Sequence, residues 1–396
     1  MQGCKPEGNS AEEGAIFIDI PPYHSGNSLP WPSLAELFRP RAVPYMRVAV
    51  KTALESLLRS VDFLKLFSSA PDGQISWDEF RNKLQAFYMF EYVDSVLNLS
   101  AGPDFPLLNF IDQAAELGPY FRVWTVEGLG HYYTELALAR GGFPSALLDA
   151  KNLIAVPSAS LVPLHTGMGL SLAQAVLNAM DRADPAHYSG WLETFWQLCR
   201  GNSRAGYAAI PFEALGLVAC NLHPQLVASI DQHLLRTNTD LLAYFWHGIG
   251  RAIYFAPTNF LPFRSAPWQG LKRCQEEPPH VLGRCNAVAG FAWALTLVNI
   301  RQPEIMATFL SHHEQQISEN DSFRNGVCSA LAIWHDSAPD DPYLKAFHHY
   351  APAVHLAPAW HRHISPCCDW ASRNYPSLRQ LSELFRYREL PHFAGL

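Results

Sequence analysis

Glu127, His131, His165, Glu213, His247 and Arg251 are the residues of this 396-residue chain whose types and setting would carry proton-transfer chemistry. Most stand in or beside short runs of small residues: Glu127-Gly128-Leu129-Gly130, Thr166-Gly167-Met168-Gly169, Glu213-Ala214-Leu215-Gly216 and His247-Gly248-Ile249-Gly250. A neutral imidazole beside a carboxylate is a competent acid and base pair. Arg251 lies one helical turn from His247 on the same face, where its guanidinium would fix a carboxylate, phosphate or enolate oxygen while His247 relays a proton. The competing role for Arg251 is a structural ion pair with Glu213 or Glu127, because an unpaired guanidinium beside the apolar run Ala252-Ile253-Tyr254-Phe255 is costly to bury. The others have a plain reading too, as acids at helix starts and as histidines satisfied in a packed interior. Tyr132, Trp246, Tyr254 and Asn325 neighbour the same series and would line a site for an apolar ligand, or else fill core.

The elements that must position these residues are helices. Two further runs, Ala289-Gly290-Phe291-Ala292 and Asn325-Gly326-Val327-Cys328, bring the small-residue pattern to six, with starts 34 to 47 residues apart, the range of two-helix repeats. Glycine in a helix interior costs up to about 1 kcal/mol relative to alanine, so its recurrence implies that backbones approach closely there. Ala287–Val298 is apolar nearly all round and must be covered on more than one side. Segments such as Ala186–Arg200 and Leu226–Leu242 keep a polar face, which separates outer from inner helices. The expected fold is therefore all-α, with two-helix repeats closed into an α/α toroid or left as an open α-solenoid. If the inner helices run parallel, their N-termini share one mouth. The helix dipole there favours anionic Glu127 and Glu213 and a neutral His247.

The series Glu127-Gly128, His165-Thr166-Gly167-Met168-Gly169-Leu170-Ser171-Leu172-Ala173 and His247-Gly248-Ile249-Gly250-Arg251-Ala252-Ile253-Tyr254-Phe255 resembles an uncharacterised bacterial family found with enediyne polyketide biosynthesis genes. Gly248-Ile249-Gly250-Arg251 followed by Tyr254-Phe255 is the most specific part, and the likeness covers about residues 110–340. It implies a role near specialised-metabolite assembly and no particular reaction, so no catalytic residue is carried over. The small-residue motifs are also similar to those of lanthionine cyclases, whose inner helices form a toroid. Their zinc-binding Trp-Cys and Cys-His pattern is absent here.

Around this block, residues 1–35 read as an extended Pro- and Gly-rich arm. Residues 36–110 read as a helical region with amphipathic helices at Val48–Phe67 and Trp77–Leu99, 111–345 as the six-repeat α/α domain, and 346–396 as a His-rich segment with a closing helix. The turn at Asp72-Gly73 resembles an EF-hand, but with Gly73 sixth in the loop, Ser68 and Ala70 occupy positions that need strong oxygen ligands, so a plain turn is expected. His348, His349, His355, His361 and His363 precede Cys367, Cys368 and Asp369. Such a set could bind zinc or iron through imidazole and thiolate, but its spacing matches no standard metal motif, and Pro352, Pro358 and Pro366 break the segment into turns, so a His-rich surface loop is the favoured reading. Cys220 and His223 form half a site at most.

Composition narrows the classes further. Net charge is -7 and pI near 6.2, without a basic run, which argues against a nucleic-acid partner. Only 16% of residues are charged against 48% hydrophobic, so much of the chain is buried. No signal peptide is evident, the longest apolar run is too short to span a bilayer, and the irregularly spaced cysteines do not form a secreted disulfide framework. A cytoplasmic location is expected. Neither a Gly-x-Ser-x-Gly elbow nor a dinucleotide or phosphate loop is present, and the sequence names no cofactor. The expectation is an enzyme or ligand-binding protein of specialised, polyketide-like metabolism that takes a small apolar molecule into a central helical cavity with Glu, His and Arg at its mouth. The alternative is a helical-repeat scaffold for a protein partner.

Overall fold

The computed structural model describes residues 44–66, 71–99, 105–150, 153–256, 269–339, 341–375 and 381–387. The expected N-terminal arm lies outside them. The chain is all-α, with no strand among the described residues. In order, α1 spans Pro44–Lys65, α2 Pro71–Glu91, α3 Val93–Val96, α4 Leu107–Ala115, α5 Pro119–Ala139 and α6 Ser158–Met180. There follow α7 at Tyr188–Asn202, α8 at Ala214–Leu222, α9 at Val227–Thr237, α10 at Thr239–Phe255, α11 at Gln269–Glu276 and α12 at Val281–Val298. The last are α13 at Pro303–Ile317, α14 at Ser322–Ser337, α15 at Pro342–His348, α16 at Ala357–His363 and α17 at Ser365–Asn374.

Local chemistry sets the boundaries. Gly118, at φ 84, turns the chain into Pro119, which suits a first helical position because its missing N–H would have no intrahelical partner. Asn238 caps α10 by accepting the Leu241 N–H, and this break divides the stretch Leu226–Leu242, expected as one outer helix, into α9 and the start of α10. Pro358 and Pro366 stand in the first turns of α16 and α17, so the His-rich segment is largely helical where a broken loop was expected. Residues 71–79 lie in α2, so Asp72-Gly73 belongs to a helix start and no EF-hand loop forms there.

The small-residue motifs mark crossings. A Cβ on Gly130 would lie well inside 3.0 Å of the Leu164 carbonyl oxygen, and one on Gly167 would meet the Glu127 carbonyl equally closely. Gly216 and Gly248 face Phe245 and Glu213 in the same reciprocal way, as Gly250 and Gly290 face Ala287 and His247. Backbone thus touches backbone at α5/α6, α8/α10 and α10/α12, while Gly128 meets Phe90 of α2 and Gly326 meets Ala289. The first motif helix also contacts the last ones. Tyr120 at the start of α5 donates its hydroxyl to the Val298 carbonyl at 2.8 Å and meets Trp334 of α14, and the Arg122 guanidinium reaches the Ser337 carbonyl.

Helices α7, α9, α11 and α13 separate successive motif helices, as a two-helix repeat requires, but no α-helix lies among described residues 140–157 between α5 and α6. One large apolar cluster runs through the motif helices, and a smaller one of Val61, Trp77, Phe80 and Leu84 joins α1 to α2. Helix α12 has the length and hydropathy to cross a membrane, yet 78% of it is buried, which identifies it as a core helix.

Candidate functional site

Four of the expected residues meet in the core. Glu213 closes the 3₁₀ turn Ile210–Glu213 ahead of α8, His247 and Arg251 lie on α10, and Glu127 on α5. Arg251 Nη2 donates to Glu127 Oε1 at 2.6 Å and Nη1 donates to Glu213 Oε1. His247 Nδ1–H donates to the other oxygen, Glu213 Oε2, at 2.8 Å. The guanidinium stands over the Trp293 ring of α12, 4.8 Å from its centroid. Phe385, from the 3₁₀ turn Leu381–Phe385, meets Trp293 at 5.6 Å and His247 at 6.5 Å. Glu213 is 1% exposed, Arg251 3% and Glu127 5%. The glycines explain the convergence: a side chain next to a residue that touches a neighbouring backbone is carried into the crossing itself.

Burial acts differently on the two carboxylates. For Glu127 desolvation dominates, and with the nearby charge of Glu213 it outweighs Arg251 and holds the pKa above the ordinary carboxylate value. For Glu213 burial is again the largest influence, but Arg251 and the His247 hydrogen bond together overcome it and leave the pKa lowered. Burial would lower Arg251, and its two carboxylates raise it instead. The cluster therefore pairs a carboxyl whose pKa is raised with one whose pKa is lowered.

This arrangement corrects the expected mouth at helix N-termini. Glu127, His247 and Arg251 sit well inside their helices and are buried, and only Glu213 precedes a helix. The dipole argument for an anionic Glu127 consequently fails, because the field of a helix end does not reach mid-helix.

The remaining candidates are elsewhere. His165 is consumed by backbone: Nδ1–H donates to the Leu161 carbonyl at 2.6 Å and Nε2 accepts the Arg204 N–H at 3.1 Å, with Tyr207 stacked on the ring. Burial pushes its pKa down to about 4. His131 faces Glu135 and the Phe90 ring, and Tyr132 meets Phe105. Asn325 lies buried in the first half of α14. Trp246 donates to Asp231 at 2.7 Å, and that same oxygen accepts from His280 Nε2 while His280 Nδ1 accepts the Gly283 N–H and caps α12. Tyr254 belongs to a second buried polar group, in which Asn299 donates to its hydroxyl at 2.8 Å and the Lys83 ammonium stands over its ring at 4.2 Å.

That second group escaped the sequence reading. Lys83 pairs with Glu79 at 2.9 Å, each 1% exposed on its side chain, and burial lowers the lysine pKa despite the carboxylate. Asn82 extends it to Asn299 and Gln302. The signal was an i, i+4 pair set among Phe80 and Leu84 on an apolar face. Among the described residues no three His, Cys, Asp or Glu side chains converge as metal ligands, and Cys199, Cys274, Cys328, Cys367 and Cys368 are buried free thiols. No protein-family model, curated protein or solved structure matches the chain.

Proposed function

We propose that this chain is an enzyme or ligand-binding protein in which Arg251 and Trp293 hold an oxygen of a small apolar molecule beside a proton-carrying pair, Glu127 and Glu213. The observation that carries this reading is a pair of buried donors: Arg251 Nε and Trp293 Nε1 both lack an acceptor among the described residues, and the guanidinium carbon stands 4.8 Å from the centroid of the Trp293 ring. A buried donor left unpaired costs about 1–3 kcal/mol, and one carbonyl or carboxylate oxygen would relieve both. Two carboxylates whose surroundings push their pKa values apart are the pattern that divides acid from base. In such a site Glu213 would accept a proton from the carbon beside a ligand carbonyl, the two donors would stabilise the enolate oxygen, and Glu127 would return a proton to the distal carbon. Closure of the motif helices into an α/α ring, a cytoplasmic location and a place in specialised metabolism belong to the same proposal. The last rests on the sequence resemblance.

The pairing of Glu127, Glu213 and His247 with one another through Arg251 and Glu213 favours a second reading, in which the cluster pins three helices together and the chain is a scaffold for a protein partner. Arg251 has its framework ion pairs under either reading, so substituting it separates nothing. Trp293→Phe keeps the ring under the guanidinium and removes only the unpaired N–H. Native mass spectrometry of wild-type and variant protein purified from the host decides: a small oxygenated molecule retained by the wild type and lost from a normally melting Trp293→Phe supports the proposal. A ligand-free wild type, or equal retention by both, refutes it.

A further inference from the structure

The His247 side of the cluster is covered by a short segment, residues 381–387. Its Phe385 is fully buried, with its ring against both His247 and Trp293, and Leu384 beside it is buried too. The segment packs on α14 and on the 3₁₀ turn Ile210–Glu213 that presents Glu213. Three further ties run through side chains. Arg386 Nη1 donates at 2.6 Å to Oδ1 of Asp240, in the first turn of α10, and its guanidinium stands over the Tyr244 ring, 5.1 Å from the centroid. The Tyr387 N–H donates to Asn286 Oδ1 of α12 at 2.7 Å.

The helices around the cluster are held differently. Backbone touches backbone at Gly216, Gly248, Gly250 and Gly290, so α8, α10 and α12 cannot part without undoing the crossings that define the fold. The segment rests instead on one aromatic plug and on an ion pair whose carboxylate is 73% exposed, and exposed pairs are weak and screened by salt. Arg386 also has a partner that travels with it. Its Nη2 and Nε both donate to Glu383 Oε2, at 2.7 and 3.1 Å, within the same turn, so the guanidinium stays paired after leaving Asp240. Local opening draws on such lightly held elements before it draws on core helices. We propose that residues 381–387 form a strap over the cluster, with Phe385 as plug and Arg386–Asp240 as latch, and that a ligand enters when the strap lifts. Entry rests on the reading of the cluster as a ligand site, whereas the lifting needs no ligand to be observed.

The test follows carbethoxylation of His247 by diethylpyrocarbonate over time, by peptide mass spectrometry, with His165 as the measure of intact fold. In Asp240→Asn the His247 rate should rise about two- to fivefold, the span an exposed ion pair supports, with Tm unchanged. Arg386→Gln, which also leaves the Tyr244 face, should raise it at least as far. Sodium chloride at about 1 M should speed the reaction in the wild type and leave Asp240→Asn unaffected. Should Arg386→Gln fold poorly, Asp240→Asn, at an exposed position, carries the test alone. A His247 rate equal in wild type and variants, a His247 unmodified throughout, equal salt sensitivity in wild type and Asp240→Asn, or His165 modified in step with His247 overturns the strap. The two readings fail separately. A strap that lifts on a protein without ligand in native mass spectrometry refutes the ligand site alone, and an unchanged His247 rate in a ligand-retaining protein refutes the strap alone.

Discussion

Replacing Gly250 by alanine tests the packing on which both the fold and the cluster depend. A Cβ at this position would lie well inside 3.0 Å of the Ala287 carbonyl oxygen, 2.7 Å from its carbon and 2.9 Å from the Ala287 Cα, whereas ordinary contact begins at 3.4 Å. All three atoms are backbone, so no side chain can swing aside and α10 must move off α12. Overpacking of this kind costs about 1–3 kcal/mol, and opening a gap of roughly 0.5–1 Å along the rest of the contact forfeits about a quarter to a half of its dispersion energy. Against this stands a gain of up to about 1 kcal/mol for alanine over glycine in a helix. Gly190, on α7, isolates that gain because nothing lies within 4 Å of its Cβ position. Gly190→Ala should therefore stabilise by about 0.5–1 kcal/mol and Gly250→Ala should destabilise by about 1–3 kcal/mol, compared through urea-unfolding midpoints. The double variant Gly250→Ala with Gly290→Ala should cost less than the two singles added, since one separation of α10 from α12 relieves both clashes. A Gly250→Ala protein as stable as Gly190→Ala would refute the reasoning, as would full additivity.

Three further outcomes follow from the site geometry. Glu213→Gln leaves His247 without its carboxylate and Arg251 with Glu127 alone and should cost about 3–5 kcal/mol in unfolding free energy, whereas Glu127→Gln also removes a carboxylate that burial penalises and should cost less; equal losses would contradict the opposed pKa shifts. His165 is held neutral with a pKa of about 4 against an ordinary 6.5, so its contribution is complete above pH 6.5 and disappears as pH falls toward 4. It amounts to at most about 3 kcal/mol, and His165→Gln should flatten the pH dependence of the urea midpoint between pH 7 and 5. Phe385→Ala should open His247 to diethylpyrocarbonate, mapped by peptide mass spectrometry, while His165 stays unmodified as the internal measure of intact fold; modification of both together would mean unfolding.

The helices were readable because apolar spacing and caps act locally, and the crossings because glycine inside a helix is unfavourable unless something demands it. What the small residues could not reveal is where along a helix they sit. They mark a crossing, which here is mid-helix, and the expectation of helix starts misplaced the chemistry at a mouth. Nor does spacing distinguish His165 from His247, each flanking a Gly-x-Gly run. One is spent on Leu161 and on Arg204, 39 residues away, and the other on Glu213 at a separation of 34. Glu79 and Lys83 are buried by Tyr254, Asn299 and Gln302, which come from distant parts of the chain to cover that face. The common cause is steric. A glycine crossing draws the residues beside it out of water, and those that are polar must then find partners among themselves or from the backbone. The motif neighbours were therefore identifiable as a class, whereas the partner each one takes depends on which helices cross, a property of the assembled chain.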